Sequence, residues 1–202
     1  MQNTLSQFKE NIQRAKKQVE AALLMVEKVD PMIDVSDLFR SQYVFAVSAL
    51  DRFAHELVRI GMFEIAEGKR IETQEFNTFF KESLKSIKSI KQLETPYAQI
   101  LDKVVQGKHS LLSFQQSWSI AEALSHIYSG DLWEDIATEL DSDGENLKAR
   151  LRVIVNRRNI IAHEADMNPM NPGFLLDITA QETEETIDFV EQIGEAIYKI
   201  VA

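Results

Sequence analysis

The apolar residues near the N-terminus recur every three or four residues over seven steps, and this spacing constrains the fold more than any other feature. The series is Leu5, Phe8, Ile12, Ala15, Val19, Ala22, Val26 and Val29. Because an α-helix turns once every 3.6 residues, these side chains lie along one side of a helix. The pattern predicts a long first helix with one apolar seam, ended by Asp30-Pro31.

Residues 36–60 carry two adjacent apolar stripes at helical spacing. The first comprises Phe39, Tyr43, Ala46, Leu50, Phe53, Leu57 and Ile60, and the second comprises Val44, Val47, Ala54 and Val58. A helix that is apolar on two adjoining faces is predicted to be central, with Asp34 or Ser36 capping its start. Asp51 interrupts the second stripe, so its carboxylate lies either near a helix edge or beside a buried cation.

Cap and turn residues divide the remaining chain into further helices. Helices are predicted to begin at Thr73, Thr95, Ser110 and Asp131, and a capping box at residues 179–182 opens the last one. No segment shows the alternation of a β-strand, and four prolines and seven glycines in 202 residues favour long uninterrupted helices.

These patterns predict an all-α fold, an up-and-down helical bundle with additional short helices. We expect one domain over residues 1–202, in which the N-terminal helix (1–30) packs on the part of about 35–202. Trp118 and Trp133 are predicted core anchors. Among the histidines, His55 is predicted to be exposed at the surface, and His109 and His126 to be structural.

Charge and composition limit the classes of function. The formal net charge of −10 argues against a general nucleic-acid binder, because phosphate contacts need lysine and arginine. The absence of cysteine excludes disulfides and suits a cytoplasmic protein, and no apolar run is long enough to span a bilayer. One segment departs from the average: residues 148–158 contain five basic side chains and no acid.

This basic segment belongs to a helix predicted over residues 145–166, opened by a capping box at residues 142–145. Arg158 occupies a position in its apolar stripe where a hydrophobic residue is expected, and we expect Asp51 to be its buried partner. Arg152, Asn156, Asn159 and His163 lie on the neighbouring stripe. Arg158 and His163 are offset by about 140° around an ideal helix. They can serve one site under three conditions: the site lies between the two helix faces, the helix distorts near His163, or a second copy of the helix contributes.

An arginine and a histidine without a nearby nucleophilic serine, cysteine or metal-ligand cluster suit phosphoryl chemistry on RNA. Histidine can take the proton of a ribose 2′-hydroxyl, because imidazole exchanges protons near neutral pH. Arginine can bind the adjacent phosphate and balance the charge of the transition state. Asn159 can orient the imidazole or bind phosphate. This chemistry requires no metal and no cofactor.

The string Arg158-Asn159-Ile160-Ile161-Ala162-His163 resembles the R-x4-6-H motif of HEPN domains, and RRNIIAHE followed by Asp166 looks most like the RiboL-PSP branch. The segment around Asp51 and the Trp133 region are also similar to that branch. The resemblance covers most of residues 35–166.

The resemblance implies a helical bundle that dimerises through the face carrying the motif helix, so that two motifs meet in one composite cleft. It implies metal-independent endoribonuclease activity in toxin–antitoxin, phage-defence or RNA-processing settings, with an antitoxin or defence protein as a possible partner. Arg158, Asn159 and His163 correspond to the catalytic positions, and Asp51 to a supporting acidic position. Arg157 also satisfies the motif spacing.

The remaining polar side chains of this helix are expected to bind RNA: Lys148, Arg150, Arg152 and Asn156. Two other readings stay open. One is a HEPN module without catalysis that binds RNA, a nucleotide or a partner protein. The other is a structural helical protein in which Arg158 forms a core ion pair and His163 caps a helix.

Overall fold

A computed structural model describes residues 1–79 and 113–202. The helices are α1 (Gln2–Lys28), α2 (Ser36–Ala66), α3 (Ser117–Leu124), α4 (Leu132–Glu139), α5 (Gly144–Glu164) and α6 (Ala180–Val201). Residues 74–79 are also helical. The described part contains no strand, only an isolated bridge between Met167 and Leu175. The all-α prediction is confirmed. The helix predicted to begin at Thr95 lies outside the described residues, and so does His109.

Helices α1, α2 and α6 pack against one another and form most of the core. The N-terminal seam is buried from Phe8 to Ala22, while Val29 lies beyond the helix and is exposed. The ring of Phe8 stacks on Phe53 of α2 with centroids 4.6 Å apart. Gly194 allows α6 to approach α1, because a Cβ there would lie 2.4 Å from Phe8 Cε1. This packing fixes the first helix on the rest of the bundle.

Helix α2 is central, as its two stripes predict. It contacts α1, α3, α5 and α6, and both stripes are mainly buried. Its start differs from the expectation. The N-cap residue is Val35, which provides no side-chain cap, and the Asp34 carboxylate accepts the Ser36 N–H at 2.9 Å instead.

The helix carrying the basic segment begins and ends close to the predicted positions. Asp143 is the N-cap of α5 and accepts the Asn146 N–H at 2.8 Å, so the cap lies one residue after Ser142. Thr179 caps α6 by accepting the Glu182 N–H, as predicted. Within residues 1–79 and 113–202, no helix is long and apolar enough to cross a membrane.

Candidate functional site

Helix α5 ends at a buried carboxylate. Ala165 and Asp166 adopt left-handed backbone conformations, with φ of 50° and 56°, and turn the chain away from the helix axis. The Asp166 side chain is fully buried and accepts hydrogen bonds from Arg40 Nε at 2.7 Å and Arg157 Nη2 at 3.0 Å. We call Arg40, Arg157 and Asp166 the Asp166 cluster.

The two arginines of this cluster also bind the chain that follows α5. Arg157 donates to the Asp177 carbonyl at 2.9 Å, and Arg40 donates to the Leu176 carbonyl at 2.7 Å. Both guanidinium groups are therefore committed to holding the end of α5 and the segment leading to α6. Sequence reasoning missed this cluster. The available signals were Arg40 facing the core side of α2 and an aspartate three residues after the motif histidine.

Arg158 has a different environment from its neighbour. Its Nη1 donates to Asn159 Oδ1 at 3.0 Å. Its Nε has no hydrogen-bond partner, and neither has the Nε of Arg157, so the two arginines differ in what their terminal nitrogens bind. Within the described residues no carboxylate forms an ion pair with it. The predicted pairing with Asp51 is wrong. Asp51 Oδ1 accepts the Phe114 N–H at 2.5 Å and lies 3.7 Å from His55 Nε2. Arg158 is half-buried and lines a cleft.

This cleft has a volume of about 490 Å³ and lies between α5, α3 and the segment that precedes α3. Arg158, Asn159 and His163 all line it. The opposite wall includes Phe114, Gln116, Trp118, Glu122 and His126. A single chain therefore brings the arginine and the histidine to one cavity despite their offset on the helix, because the cavity extends around the side of α5.

The two tryptophans have opposite environments, and only one prediction for them is confirmed. Trp133 is 5 % exposed and its Nε1 donates to the Ser117 carbonyl at 2.9 Å, as expected of a core anchor. Trp118 is 68 % exposed and lines the cleft, so its assignment to the core is wrong. The missed signal is its spacing, because the buried apolar positions of α3 are Ile120, Ala123 and Leu124, and Trp118 lies on another face.

Two histidines outside the motif, His55 and His126, lie in the described residues and pack against aromatic rings. His55 was predicted to be exposed, but its ring stacks on Phe114 at 4.0 Å and it is half-buried. His126 lines the cleft, with Nδ1 3.0 Å from the Ala123 carbonyl and its ring edge-on to Phe79. His163, in contrast, is exposed at the last turn of α5.

The predicted RNA-binding residues of α5 do not line the cleft. Arg152 and Asn156 are exposed on its surface. Lys148 pairs with Glu145, and their hydrogen bond raises the pKa of Lys148. The Arg150 guanidinium lies 4.5 Å from the Phe189 ring centroid and donates to the Glu185 carbonyl at 3.2 Å. These side chains extend the basic surface beside the site without entering it.

One of three comparisons with known proteins gives a match, and it is to the family that the motif resembles. The family model described as RiboL-PSP-HEPN matches residues 3–202, and therefore includes α1 as well as the motif helix. Neither a comparison with curated proteins nor one with solved structures gives a match. The family suggests an RNase-like or nucleotide-binding module. With its all-α bundle and an arginine–histidine motif on a capped helix, the chain belongs to the RiboL-PSP-HEPN family.

Proposed function

We propose that the protein is a metal-independent endoribonuclease whose catalytic residues are Arg158 and His163. The observation that carries the proposal is that an arginine without a carboxylate partner in the described residues and an exposed histidine line the same cleft. A guanidinium paired with a buried acid cannot offer its charge to a substrate phosphate, and Arg157 is in that situation. This contrast supports Arg158 as the motif arginine.

In the proposed reaction, His163 removes the proton of a ribose 2′-hydroxyl, and the oxygen attacks the adjacent phosphorus. The bond from phosphorus to the 5′-oxygen breaks, and that oxygen receives a proton from the imidazolium. The products are a 2′,3′-cyclic phosphate and a 5′-hydroxyl. The nucleophile belongs to the substrate, so the reaction can proceed without a metal ion.

Arg158 would bind the non-bridging phosphate oxygens and stabilise the charge that grows on them in the transition state. Asn159 accepts a hydrogen bond from Arg158, which orients the guanidinium. In the proposed site Asn159 is therefore a positioning residue for the arginine. Asp51 supports the opposite wall of the cleft through the Phe114 backbone rather than through Arg158.

The test is cleavage of single-stranded RNA in the presence of EDTA, with the product ends identified by mass spectrometry. We expect a 2′,3′-cyclic phosphate, and a loss of rate of about 100-fold or more in His163→Ala and in Arg158→Ala. Arg52→Ala, which removes an exposed arginine outside the cleft, is the control. Cleavage that survives His163→Ala would overturn the catalytic assignment.

The second candidate is a HEPN module that binds RNA, a nucleotide or a protein without cleaving RNA. The net charge of −10 and the Glu122 carboxylate on the cleft wall favour it, because both oppose a polyanion. This reading predicts that the unaltered protein retains RNA on a filter without releasing shorter products.

We further propose that the protein acts in the cytoplasm as a homodimer through the α5 face, in a toxin, defence or RNA-processing role. Val153 is a large apolar side chain exposed on α5, and an interface on this face would cover it. Expression in a bacterial host should then arrest growth, and His163→Ala should relieve the arrest. In the toxin setting, a cognate antitoxin would bind this chain.

A further inference from the structure

Trp118 is directed away from the core of its own chain. Helix α3 buries Ile120, Ala123 and Leu124 on one face, and Trp118 lies on another face near the helix start. Its indole remains 68 % exposed although a tryptophan gains much stability from burial. The side chain therefore forms an apolar wall of the cleft that no described residue covers.

The groups across the cleft indicate the chemistry of what covers this wall. Arg158 offers a cation without a carboxylate partner in the described residues, while Asn159 and Gln116 offer amide groups. A flat aromatic surface and a guanidinium in one cavity match a nucleotide, which has an aromatic base and an anionic phosphate. The volume of about 490 Å³ lies within the range of small-ligand sites.

We infer that Trp118 is a stacking platform for a nucleobase of single-stranded RNA next to the phosphate that Arg158 binds. The inference rests on the proposed function, because it takes RNA as the occupant of the cleft. Every base has a π-face, so stacking alone tolerates any base at this position. Trp118 would thus hold unpaired nucleotides in the cleft, and double-stranded RNA would bind more weakly.

The fluorescence of the protein can report this contact directly. The chain has two tryptophans, and Trp133 is buried, so quenching by a bound base reports mainly on Trp118. The probe is a single-stranded 2′-fluoro oligoribonucleotide of mixed sequence, which lacks the attacking hydroxyl and stays intact. We expect the unaltered protein to bind it with quenching.

Variants separate stacking from other roles of the side chain. Both variants lack the Trp118 signal, so their affinity is measured by the fluorescence anisotropy of a dye-labelled probe. We expect Trp118→Ala to weaken binding by about 5- to 100-fold and Trp118→Phe by only a few-fold, because phenylalanine retains an aromatic face. Phe174→Ala is the matched control, since Phe174 is 64 % exposed and lies outside the cleft. Circular dichroism and sedimentation velocity should show an unchanged fold and oligomeric state in each variant.

Three results would overturn the stacking inference: unchanged affinity in Trp118→Ala, a loss of affinity explained by dissociation of the protein, or no binding of the probe by the unaltered protein. The proposed nuclease fails separately. If cleavage needs Arg158 and His163 but its KM is unchanged in Trp118→Ala, the nuclease proposal stands and the stacking inference fails. If the probe quenches the fluorescence and its binding depends on Trp118, but ordinary RNA is not cleaved, the stacking inference stands and the nuclease proposal fails.

Discussion

Arg157 donates to the buried Asp166 carboxylate, while the next residue, Arg158, lines the cleft. Successive residues on a helix point about 100° apart, so identical side chains meet different surroundings. One guanidinium holds the end of α5, and the other faces the space where a substrate would lie. The two positions therefore allow structural and catalytic effects to be separated with the same substitution.

We predict that Arg157→Ala lowers the free energy of unfolding by about 2 kcal/mol, because it removes one of the two arginines that donate to the buried Asp166 carboxylate. Arg158→Ala should change it by less than about 1 kcal/mol, since no described carboxylate loses its partner, but should abolish RNA cleavage. Urea denaturation and a cleavage assay of both variants check this. A similar loss of stability in the two variants would contradict the assignment.

For single residues, the sequence pattern identified Arg158 as unusual but did not predict what surrounds it. Helical periodicity places Arg158 among apolar positions, and the structure confirms that it is half-buried. Periodicity describes only the residue's own helix. It cannot tell whether a carboxylate or a cavity lies opposite, because that depends on how α3 and the segment before it pack. Asp51 was therefore assigned to the wrong partner, although it does lie at the edge of the core.

Helix α5 ends in two left-handed residues, and neither is glycine. Ala165 is exposed with φ of 50°, a conformation in which an L-residue with a Cβ is strained. Glycine is preferred at such positions after a helix. The end of α5 is held in this geometry by the buried Asp166 and its two arginines.

We predict that Ala165→Gly raises the free energy of unfolding by about 1 kcal/mol, because it removes the steric cost of the left-handed conformation. Ala162→Gly is the matched control. Ala162 is also exposed but lies within the helix, so glycine there should cost about 1 kcal/mol. Chemical denaturation measures the free energy of unfolding of both variants. A loss of stability in Ala165→Gly would contradict the proposal that the backbone at Ala165 is strained.

The helix α3 shows where local signals are insufficient. The pattern predicts a helix from Ser110, but residues 113–116 are not helical and Gln116 is extended, with ψ of 147°. The Phe114 N–H donates to Asp51 of α2 instead of to a helical carbonyl. A contact between distant parts of the chain thus overrides the local preference. The starts of α4 and α6 depend on Asp131 and Thr179 within the first turn, and were predicted correctly.

Packing of the whole bundle also determines how the protein responds to alkaline pH. Burial between helices raises the pKa of the Tyr43 hydroxyl to about 12, although a hydrogen bond with Thr186 opposes the shift. Tyrosine in an unfolded chain has a pKa of about 10. The native state therefore holds this proton more tightly, and the resulting stability is present below pH 10 and lost as pH rises toward 12.

We predict that stability falls by roughly 1–3 kcal/mol from this group between about pH 10 and 12. In Tyr43→Phe the slope of unfolding free energy against pH should be shallower over that interval. Tyr128→Phe provides the comparison. A hydrogen bond with Asp135 also raises the pKa of Tyr128 to about 12, but Tyr128 lies nearer the surface, so solvent weakens its effect. Equal slopes in unaltered protein and Tyr43→Phe would contradict the prediction.

The proposed assembly of two chains through α5 can be tested by placing one charge on its exposed apolar residue. Val153 is 66 % exposed, and a glutamate there would place an unpaired charge in the proposed interface. We predict that Val153→Glu sediments as a monomer at concentrations where the unaltered protein is a dimer, and that its RNA cleavage falls with dissociation. Met32→Glu is the control, because Met32 is 88 % exposed in the turn after α1.

If Val153→Glu remained dimeric, the interface would lie on another face. If it became monomeric with full activity, Arg158 and His163 would complete the site within one chain.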